Sequence, residues 1–266
     1  DDSLGGIAKS YVNWVGDLLH GDLGISFVYG RPVQEVIAKY MWVSFFIALV
    51  AMILEYIIAI PLGIMAATKQ YGVMDYTVTV LAMMGISLPT FFLGALLIRT
   101  FALQLGWLPM QGLDDATKIL SGFERLVDRV RHLILPMTTL VILSIGGLMR
   151  YTRTNMLEVL NSDYIRTARA KGLSEKTVIY KHAFRNTLIP LVTMFGGSIP
   201  ALFGGAMITE TVFAIPGIGQ VSYNAILQAD VPLVMGYCMF VAVLTVVGTL
   251  VSDLLYAVVD PRVKIG

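Results

Sequence analysis

Charged residues are scarce in this chain, and their scarcity excludes most classes of soluble protein. Asp, Glu, Lys and Arg make up 14% of the 266 residues, while hydrophobic residues make up 56%. A soluble domain has about a quarter of its residues charged, so much of this surface must face lipid. The net charge of +1 excludes a general nucleic-acid binder.

Cysteine and histidine are almost absent, and ATP-binding motifs are missing. The single cysteine, Cys238, excludes an internal disulfide, and the histidines at 20, 132 and 182 lie too far apart in sequence for a metal-ligand pattern. No G-x-x-x-x-G-K-[ST] loop occurs, so the chain does not bind ATP by that route. We therefore expect no metal, no cofactor and no catalytic residues, and the chain is not predicted to be an enzyme.

Long apolar segments dominate what is present. Five of them are long enough for the roughly 20 residues of helix that cross a bilayer, at about 41–68, 76–105, 133–149, 187–209 and 231–259. The sequence predicts an all-α, polytopic membrane protein. Residues 1–40 are predicted to form an outer interfacial segment. Residues 41–266 are predicted to form the transmembrane domain, with a cytoplasmic loop at about 150–186.

The distribution of positive charge predicts the orientation. One side of the membrane receives eleven Lys and Arg residues in shorter loops, and the other receives seven, with Arg99 inside a span. The richer side is expected to face the cytoplasm, which places the 150–186 loop and the C-terminus inside. The first residue is Asp1 rather than Met, and the visible N-terminus falls outside, so we expect an earlier span to be absent.

Three outer segments have apolar residues at helical spacing. They cover residues 7–18, 33–40 and 119–130. Such segments are typical of short helices that lie on the membrane interface. Packing against the protein's own spans explains the same spacing equally well, and the sequence leaves both interpretations open.

The most distinctive segment is a dense basic block, residues 163–185, between two apolar runs. Ser162 or Asp163 can cap a short helix, Gly172 permits a turn, and Ser174 can cap a second helix. A small basic helix that protrudes between two spans is suited to docking in a groove on a partner. The alternative is a loop that only sets topology and touches anionic lipid.

Residues 163–190 resemble the "EAA" loop of ABC-importer permeases, which has Glu-Ala-Ala, three residues, Gly and later a Pro. Here the loop reads Arg166-Thr-Ala168, Arg169-Ala-Lys171 and Gly172, with Pro190 opening the next span. The replacement of Glu by Arg166 and the longer stretch before Pro190 resemble the dipeptide/oligopeptide/nickel branch. Segments 19–26, 66–70, 209–219 and 259–262 also match that branch.

The resemblance implies a type I ABC-importer permease fold of the first-subunit type, with five spans visible of an expected six. It implies a heterodimer with a second homologous permease subunit, two cytoplasmic ABC ATPase subunits that hydrolyse the ATP, and an extracellular or periplasmic solute-binding protein. The expected location is the prokaryotic cytoplasmic (inner) membrane. A small peptide is the expected substrate, although nickel chelates and glutathione fit the same motifs. The implied ATPase-coupling residues are Asp163, Arg166, Thr167, Ala168, Arg169, Ala170, Lys171, Gly172 and Leu173.

Candidate pore or outer-gate residues lie elsewhere. Glu55 is an ionisable residue inside a span. It either lines the translocation path, or it pairs with a cation of a partner subunit or points into a water-filled crevice. In the family, the region of Glu210, Phe213, Pro216 and Gly217 lies near the outer mouth, although a tight connection between spans explains it equally well. An ion-driven secondary transporter would call for inverted repeats, and a membrane enzyme for clustered His, Asp or Ser. Neither pattern is evident in the sequence.

Overall fold

The computed structural model describes residues 4–115, 117 and 119–259, and this part of the chain is almost entirely helical, as predicted. The last of the matching segments, 259–262, lies largely outside the described residues. It contains two π-helical stretches, Ile98–Gln104 and Val178–Ala183, each of which directly follows an α-helix. The α-helices are α1 (Leu4–Leu19), α2 (Val33–Thr68), α3 (Val73–Ser87), α4 (Thr90–Leu97), α5 (Gly122–Leu160), α6 (Asp163–Ala170), α7 (Glu175–Thr177), α8 (Phe184–Gly197), α9 (Ile199–Gly204), α10 (Met207–Val212), α11 (Ile218–Leu227) and α12 (Val231–Val259).

Four of the five predicted spans are long apolar helical segments, and the remaining one, the second along the chain, is broken. Helices α2, α5 and α12 and the run Glu175–Val212 are each long and apolar enough to cross a membrane. The span predicted at 76–105 is instead a pair, Val73–Ser87 and Thr90–Gln104, bent by 101°. The break falls at Leu88, whose extended backbone is typical of a residue before proline.

The packing of α2 against α5 shows that the bent pair still makes one crossing. Near the start of both helices, Ile47 and Leu135 belong to one buried cluster. Further along both, a Cβ at Gly63 would lie 2.7 Å from the Cβ of Thr152. The two helices therefore run parallel, and the chain between them has to return across the membrane. The number of crossings in the described chain is thus five.

Helices α3 and α5 meet along a seam where their backbones almost touch. A Cβ on Gly85 would lie 2.5 Å from the carbonyl oxygen of Ile142, and a Cβ on Gly146 would lie 2.6 Å from that of Ala82. Glycine is the residue that permits such an approach between membrane helices. The seam holds α3 antiparallel against α5.

Gly146 and its neighbour Gly147 offer a matched test of this seam. Gly146→Ala is expected to destabilise the protein by about 1–3 kcal/mol, because the methyl group would force the two backbones apart. Gly147→Ala meets nothing within 4 Å and should be neutral or slightly stabilising, since alanine is the better helix former. Thermal unfolding of the detergent-solubilised protein measures the difference. Equal melting temperatures for the two variants would contradict the close contact.

A second group of helices forms around α12. A Cβ on Gly196 in α8 would lie 2.6 Å from the Cα of Ser252, and the Ser252 hydroxyl donates to the carbonyl of Thr193 at 2.9 Å. A Cβ on Gly248 would lie 2.9 Å from the Cδ of Pro200 in α9. Helices α8, α9 and α12 thus pack as closely as α2, α3 and α5 do.

The structure distinguishes between the two interpretations for two of the three outer segments, which are not separate interfacial helices. Residues 33–40 are the first turns of α2, where Val33, Val36 and Ile37 are buried against Ile218 and Leu233. Residues 122–130 are likewise the first turns of α5. For these two segments, continuation into the protein's own spans is the outcome, so the predicted boundary at residue 40 falls inside α2. Helix α1 is a separate helix with mostly exposed side chains.

Candidate coupling loop and outer mouth

The loop predicted to be cytoplasmic lies at the ends of two long helices, α2 and α5. Two residues separate α5 from α6, so the loop helix follows the longest span almost directly. Ile165 and Ala168 form the buried side of α6. They share one apolar cluster with Ile64, Ala67, Met156, Val178 and Ala183. This cluster packs α6 on the π-helical stretch Val178–Ala183 and joins it there to the ends of α2 and α5.

Gly172 ends α6 with a left-handed backbone. Its φ is +77°, and its amide donates to the carbonyl of Arg169 at 2.9 Å. The Ser174 hydroxyl accepts from the amide of Thr177 at 3.4 Å, which confirms Ser174 as the cap of the next helix. Ser162, one of the two caps predicted for α6, occupies the N-cap position, but its hydroxyl donates backwards to the carbonyl of Val159 at 2.5 Å and makes no cap hydrogen bond.

Eight of the nine predicted coupling residues are exposed, and one is not. Ala168 is 7% exposed and belongs to the side that holds α6 in place. Leu173 places an apolar side chain, 40% exposed, at the tip of the loop. The exposed residues are Asp163, Arg166, Thr167, Arg169, Ala170, Lys171, Gly172 and Leu173.

The two arginines of α6 have different surroundings. Arg169 forms a two-pronged pair with Glu175, with Nη2 to Oε1 at 2.7 Å and Nε to Oε2 at 3.2 Å. This hydrogen bonding raises the pKa of Arg169. Arg166 lies 3.7 Å from Asp163, and both side chains are highly exposed. Arg169 therefore ties the two sides of the Gly172 turn together, whereas Arg166 remains available to a partner.

At the outer side, the Glu210 carboxylate lies buried beneath a tight turn. Its Oε1 accepts from the Ser44 hydroxyl at 2.6 Å and from the amide of Ala206 at 3.1 Å. Its Oε2 accepts from the amide of Gln220 at 3.0 Å. The Ser44 hydroxyl in turn accepts from the amide of Ile218 at 2.9 Å. The carboxylate thus joins α2 to the outer turn, which we define as residues 205–219.

The glycines of the outer turn make room for this carboxylate. A Cβ on Gly217 would overlap the Glu210 carboxyl group, and a Cβ on Gly219 would lie 2.9 Å from Oε2. Phe213 is buried with Ile47 and Leu135, whereas Pro216 is exposed. Of these predicted outer-gate residues, Glu210, Phe213 and Gly217 hold the turn in place from within, and Pro216 lies on its surface.

Glu55 stands apart from the outer turn. It is half-buried on α2 beside the Ser144 hydroxyl of α5. Eleven residues separate it from Ser44, which places it about 16 Å further along the helix. The structure does not bring Glu55 together with Glu210, so the two do not form one site.

Asp230 is a residue that the sequence prediction missed. Its buried carboxylate accepts a hydrogen bond from the Ser26 hydroxyl. It also accepts from three backbone amides, those of Phe27 and Val28 at 3.1 Å and that of Leu233 at 3.3 Å. Burial opposes ionisation, but these hydrogen bonds outweigh it and lower the pKa of Asp230. An aspartate just before a span is a local capping signal. Its link to Ser26 lies 204 residues away, beyond any local pattern.

No group of three or more His, Cys, Asp or Glu side chains that could hold a metal ion occurs within residues 4–115, 117 and 119–259. The acids described above, Glu210, Asp230 and Glu175, are bound instead to hydroxyls, backbone amides and an arginine. The buried carboxylates thus hold turns and helix ends in place, and the basic side chains of one loop, residues 163–185, are exposed to solvent.

This architecture is that of a transporter membrane subunit. A solved structure described as the MetNI methionine ABC transporter in inward-facing conformations superimposes with a TM-score of 0.67, over 85% of this chain and 97% of that chain, at 16% identity. The likeness shows the fold. The sequence family described as "binding-protein-dependent transport system inner membrane component" matches residues 59–265, and the chain belongs to this family.

Curated relatives are similar over almost the whole chain. The oligopeptide transport system permease protein AppB of Bacillus subtilis is 42% identical over 255 residues, which are 96% of this chain and 79% of that protein. The dipeptide transport system permease protein DppB of Escherichia coli K12 is 37% identical over 274 residues, covering 96% of this chain and 80% of that protein.

These findings confirm the resemblance seen in the sequence. The chain is a transmembrane permease subunit of an ABC importer, a multi-pass protein of the cytoplasmic (inner) membrane, and a transporter component rather than an enzyme. An importer of this family works with ATPase subunits and a binding protein. The alternative of an ion-driven secondary transporter is thereby set aside.

Proposed function

We propose that this chain forms one half of the translocation pore for small peptides, as a heterodimer with a second homologous permease subunit. Both similar relatives named above are peptide permeases, one for oligopeptides and one for dipeptides. The solute-binding protein would deliver the peptide at the outer turn. ATP binding and hydrolysis by the ATPase subunits on the cytoplasmic side would then open the pore alternately to the two sides of the membrane.

The substrate proposal is tested by ATP hydrolysis in the reconstituted complex. Dipeptides or oligopeptides, presented with the binding protein, are expected to stimulate hydrolysis above its basal rate. Nickel chelates and glutathione are the alternatives in the same assay. Stimulation by one of these, with none by peptides, would contradict a peptide substrate while leaving the ABC permease assignment intact.

The second part of the proposal is that residues 163–185, which we call the coupling loop, dock on an ATPase subunit. The observation that carries it is the two-sided character of α6. One side is buried in the cluster that also contains the π-helical stretch Val178–Ala183 and the ends of α2 and α5, while the other presents Arg166, Lys171 and Leu173 to solvent at the tip. We expect a push on the exposed side to reach the spans through this apolar cluster.

Site-directed cross-linking tests this contact. With the native Cys238 replaced by serine, Leu173→Cys is expected to form a cross-link to an ATPase subunit in the intact complex. The matched control is Val73→Cys, because Val73 is 85% exposed in the other cytoplasmic turn, outside the loop. A loop cysteine that stays uncross-linked and fully reactive toward a soluble thiol reagent would refute the docking.

Charge reversal at Arg166 is expected to weaken binding of the ATPase subunits by about tenfold, since placing two like charges together at an interface costs at least as much. Arg166 has only a long, exposed contact within the chain, so Arg166→Glu should leave the loop folded. Co-purification of the ATPase subunits with the tagged permease measures the loss.

The control uses Arg169, whose reversal would also break its pair with Glu175. The double exchange Arg169→Glu with Glu175→Arg restores that pair. It therefore distinguishes a loss of binding caused by an unstable loop from a loss caused by the changed charge facing the partner. Unchanged co-purification with Arg166→Glu would show that this arginine only sets topology.

A further inference from the structure

A two-pronged ion pair lies within the bundle near its cytoplasmic end. Asp75, in the first turn of α3, is 3% exposed. The Nε of Arg153 in α5 lies 2.6 Å from its Oδ1, and Nη2 lies 2.8 Å from its Oδ2. Nothing in the function described so far uses this pair. Paired, charge-assisted hydrogen bonds of this kind are strong and directional.

The same carboxylate also holds the turn between α2 and α3. Its Oδ2 accepts from the amide of Tyr71 at 3.0 Å. Tyr71 has a φ of +60°, a conformation that residues with a side chain rarely adopt. Asp75 therefore fixes three parts at once: the end of α2, the start of α3 and the cytoplasmic part of α5.

Arg153 is close to the coupling loop along the chain. It lies seven residues, or about two helical turns, before the end of α5 at Leu160, and α6 begins at Asp163. The ion pair thus joins α3 to the part of α5 that leads directly into the coupling loop.

The other end of the bent span reaches the outer turn. A Cβ on Gly94 in α4 would lie 3.0 Å from Val212 and 3.3 Å from the ring of Phe213. Beyond α4, the amide of Gly112 donates to the carbonyl of Phe213 at 2.9 Å. One broken span is therefore fastened to the cytoplasmic part of α5 at one end and packed on the outer turn at the other.

The contact between α3 and α5 has a second component that acts differently. Between the ion pair and the bend, the two helices meet through apolar side chains and the glycine seam. Apolar contact is non-directional, so by itself it keeps the helices together without fixing their position along the seam. The Asp75–Arg153 pair supplies the directional contact that fixes it.

We propose that Asp75 and Arg153 are positioning residues for transport: their pair makes α3 move with α5 and the coupling loop, so that displacement of the loop reaches the outer turn through the bent span. This inference rests on the coupling role proposed above for residues 163–185. It adds the element that carries the displacement across the membrane.

The experiment measures substrate uptake per ATP hydrolysed, in liposomes that contain the whole complex and its binding protein. Arg153→Lys keeps the charge but loses the two-pronged geometry, and Asp75→Asn removes the charge. Each is expected to lower uptake per ATP by about tenfold, within the range typical of coupling between distant sites. ATP hydrolysis and the amount of assembled complex should remain close to wild type.

The matched control is Arg150→Gln. Arg150 lies on the same helix three residues earlier, is exposed, and has no ion-pair partner within the described part of the chain; its loss should leave the uptake ratio unchanged. The charge exchange, Asp75→Arg with Arg153→Asp, should recover part of the ratio lost in Asp75→Asn.

Two results would overturn the proposal. One is an unchanged uptake per ATP hydrolysed in the assembled Arg153→Lys complex. The other is a parallel loss of uptake, ATP hydrolysis and assembled complex in both Arg153→Lys and Asp75→Asn, which would show that the pair is purely structural. The cross-link at Leu173→Cys is measured in the same samples. Its absence in the otherwise unmodified complex would refute the docking of the coupling loop, whereas its retention alongside an unchanged ratio would refute only the role of the Asp75–Arg153 pair.

Discussion

Glu210→Ala is expected to abolish uptake and to destabilise the protein by several kcal/mol. The substitution leaves the Ser44 hydroxyl and the amides of Ala206 and Gln220 without their acceptor. Each buried polar group left without a partner costs about 1–3 kcal/mol. Because these groups join α2 to the outer turn, the turn should lose its fixed position, and uptake should fail if the turn lies at the pore entrance as proposed. Thermal unfolding of the solubilised complex and peptide uptake in liposomes both report the effect.

Two further variants show whether the geometry or the mere presence of an acid matters. Glu210→Gln keeps one acceptor oxygen and is expected to be intermediate. Glu35→Ala removes an exposed acid from the first turn of the same α2 and should change neither measurement appreciably. Wild-type stability and uptake in Glu210→Ala would show that the hydrogen bonds seen here do not hold the outer turn.

Gly172→Val is expected to uncouple uptake from ATP hydrolysis while the spans remain inserted. A Cβ at this position meets nothing within 4 Å, but the φ of +77° lies in the left-handed region. An ordinary L-residue there costs roughly 1–2 kcal/mol, and a β-branched side chain is especially ill suited. The turn should therefore relax to another conformation and move the loop tip away from its docking position. Uptake per ATP hydrolysed, in the reconstituted complex, is the measurement.

Asparagine at the same position is the informative control. Asn visits the left-handed region more readily than other residues with a side chain, so Gly172→Asn should retain most of the coupling. Because a Cβ at this position meets no atom within 4 Å, a clash at that atom would not explain a difference between the two variants. Equal, near-normal coupling in both would show that the left-handed turn is dispensable.

Hydropathy and local spacing were sufficient to predict the crossings and the shape of the coupling loop. Membrane helices satisfy their own backbone hydrogen bonds, so a long apolar segment predicts a span without reference to the rest of the chain. The turn at Gly172 and the cap at Ser174 were predictable for the same reason, since both depend on residues a few positions apart. The cap assigned to Ser162 failed because its hydroxyl had a competing acceptor in the preceding helix.

The bend in the second span could not be seen in its composition. Apolar residues continue on both sides of Leu88 and Pro89, and hydropathy carries no information about direction. Pro89 was a visible signal, but proline is also tolerated inside other membrane helices of this chain, at Pro61 and Pro136. Only the packing of α4 against Phe213 shows why this proline marks a change of direction.

The buried polar contacts were beyond local analysis for a different reason. Glu210 finds Ser44 166 residues earlier, and Asp75 finds Arg153 78 residues later. A charged residue in an apolar segment signals a special position, but its partner depends on the tertiary fold. Glu210 drew attention as a gate residue through the family resemblance, whereas its observed contacts hold α2 and the outer turn together. Asp75 and Asp230 drew none.

The glycine seam divides α5 unequally. Gly146 lies 24 residues after the first residue of the helix, Gly122, and 14 residues before the last, Leu160. At about 1.5 Å per residue, these arms measure roughly 36 Å and 21 Å. A tilt of α5, together with α3, about the level of this seam would move its longer arm about 1.7 times as far as its shorter arm, by the same rise per residue. A small displacement at the end proposed to meet the ATPase would thus become a larger displacement at the end proposed to receive the substrate.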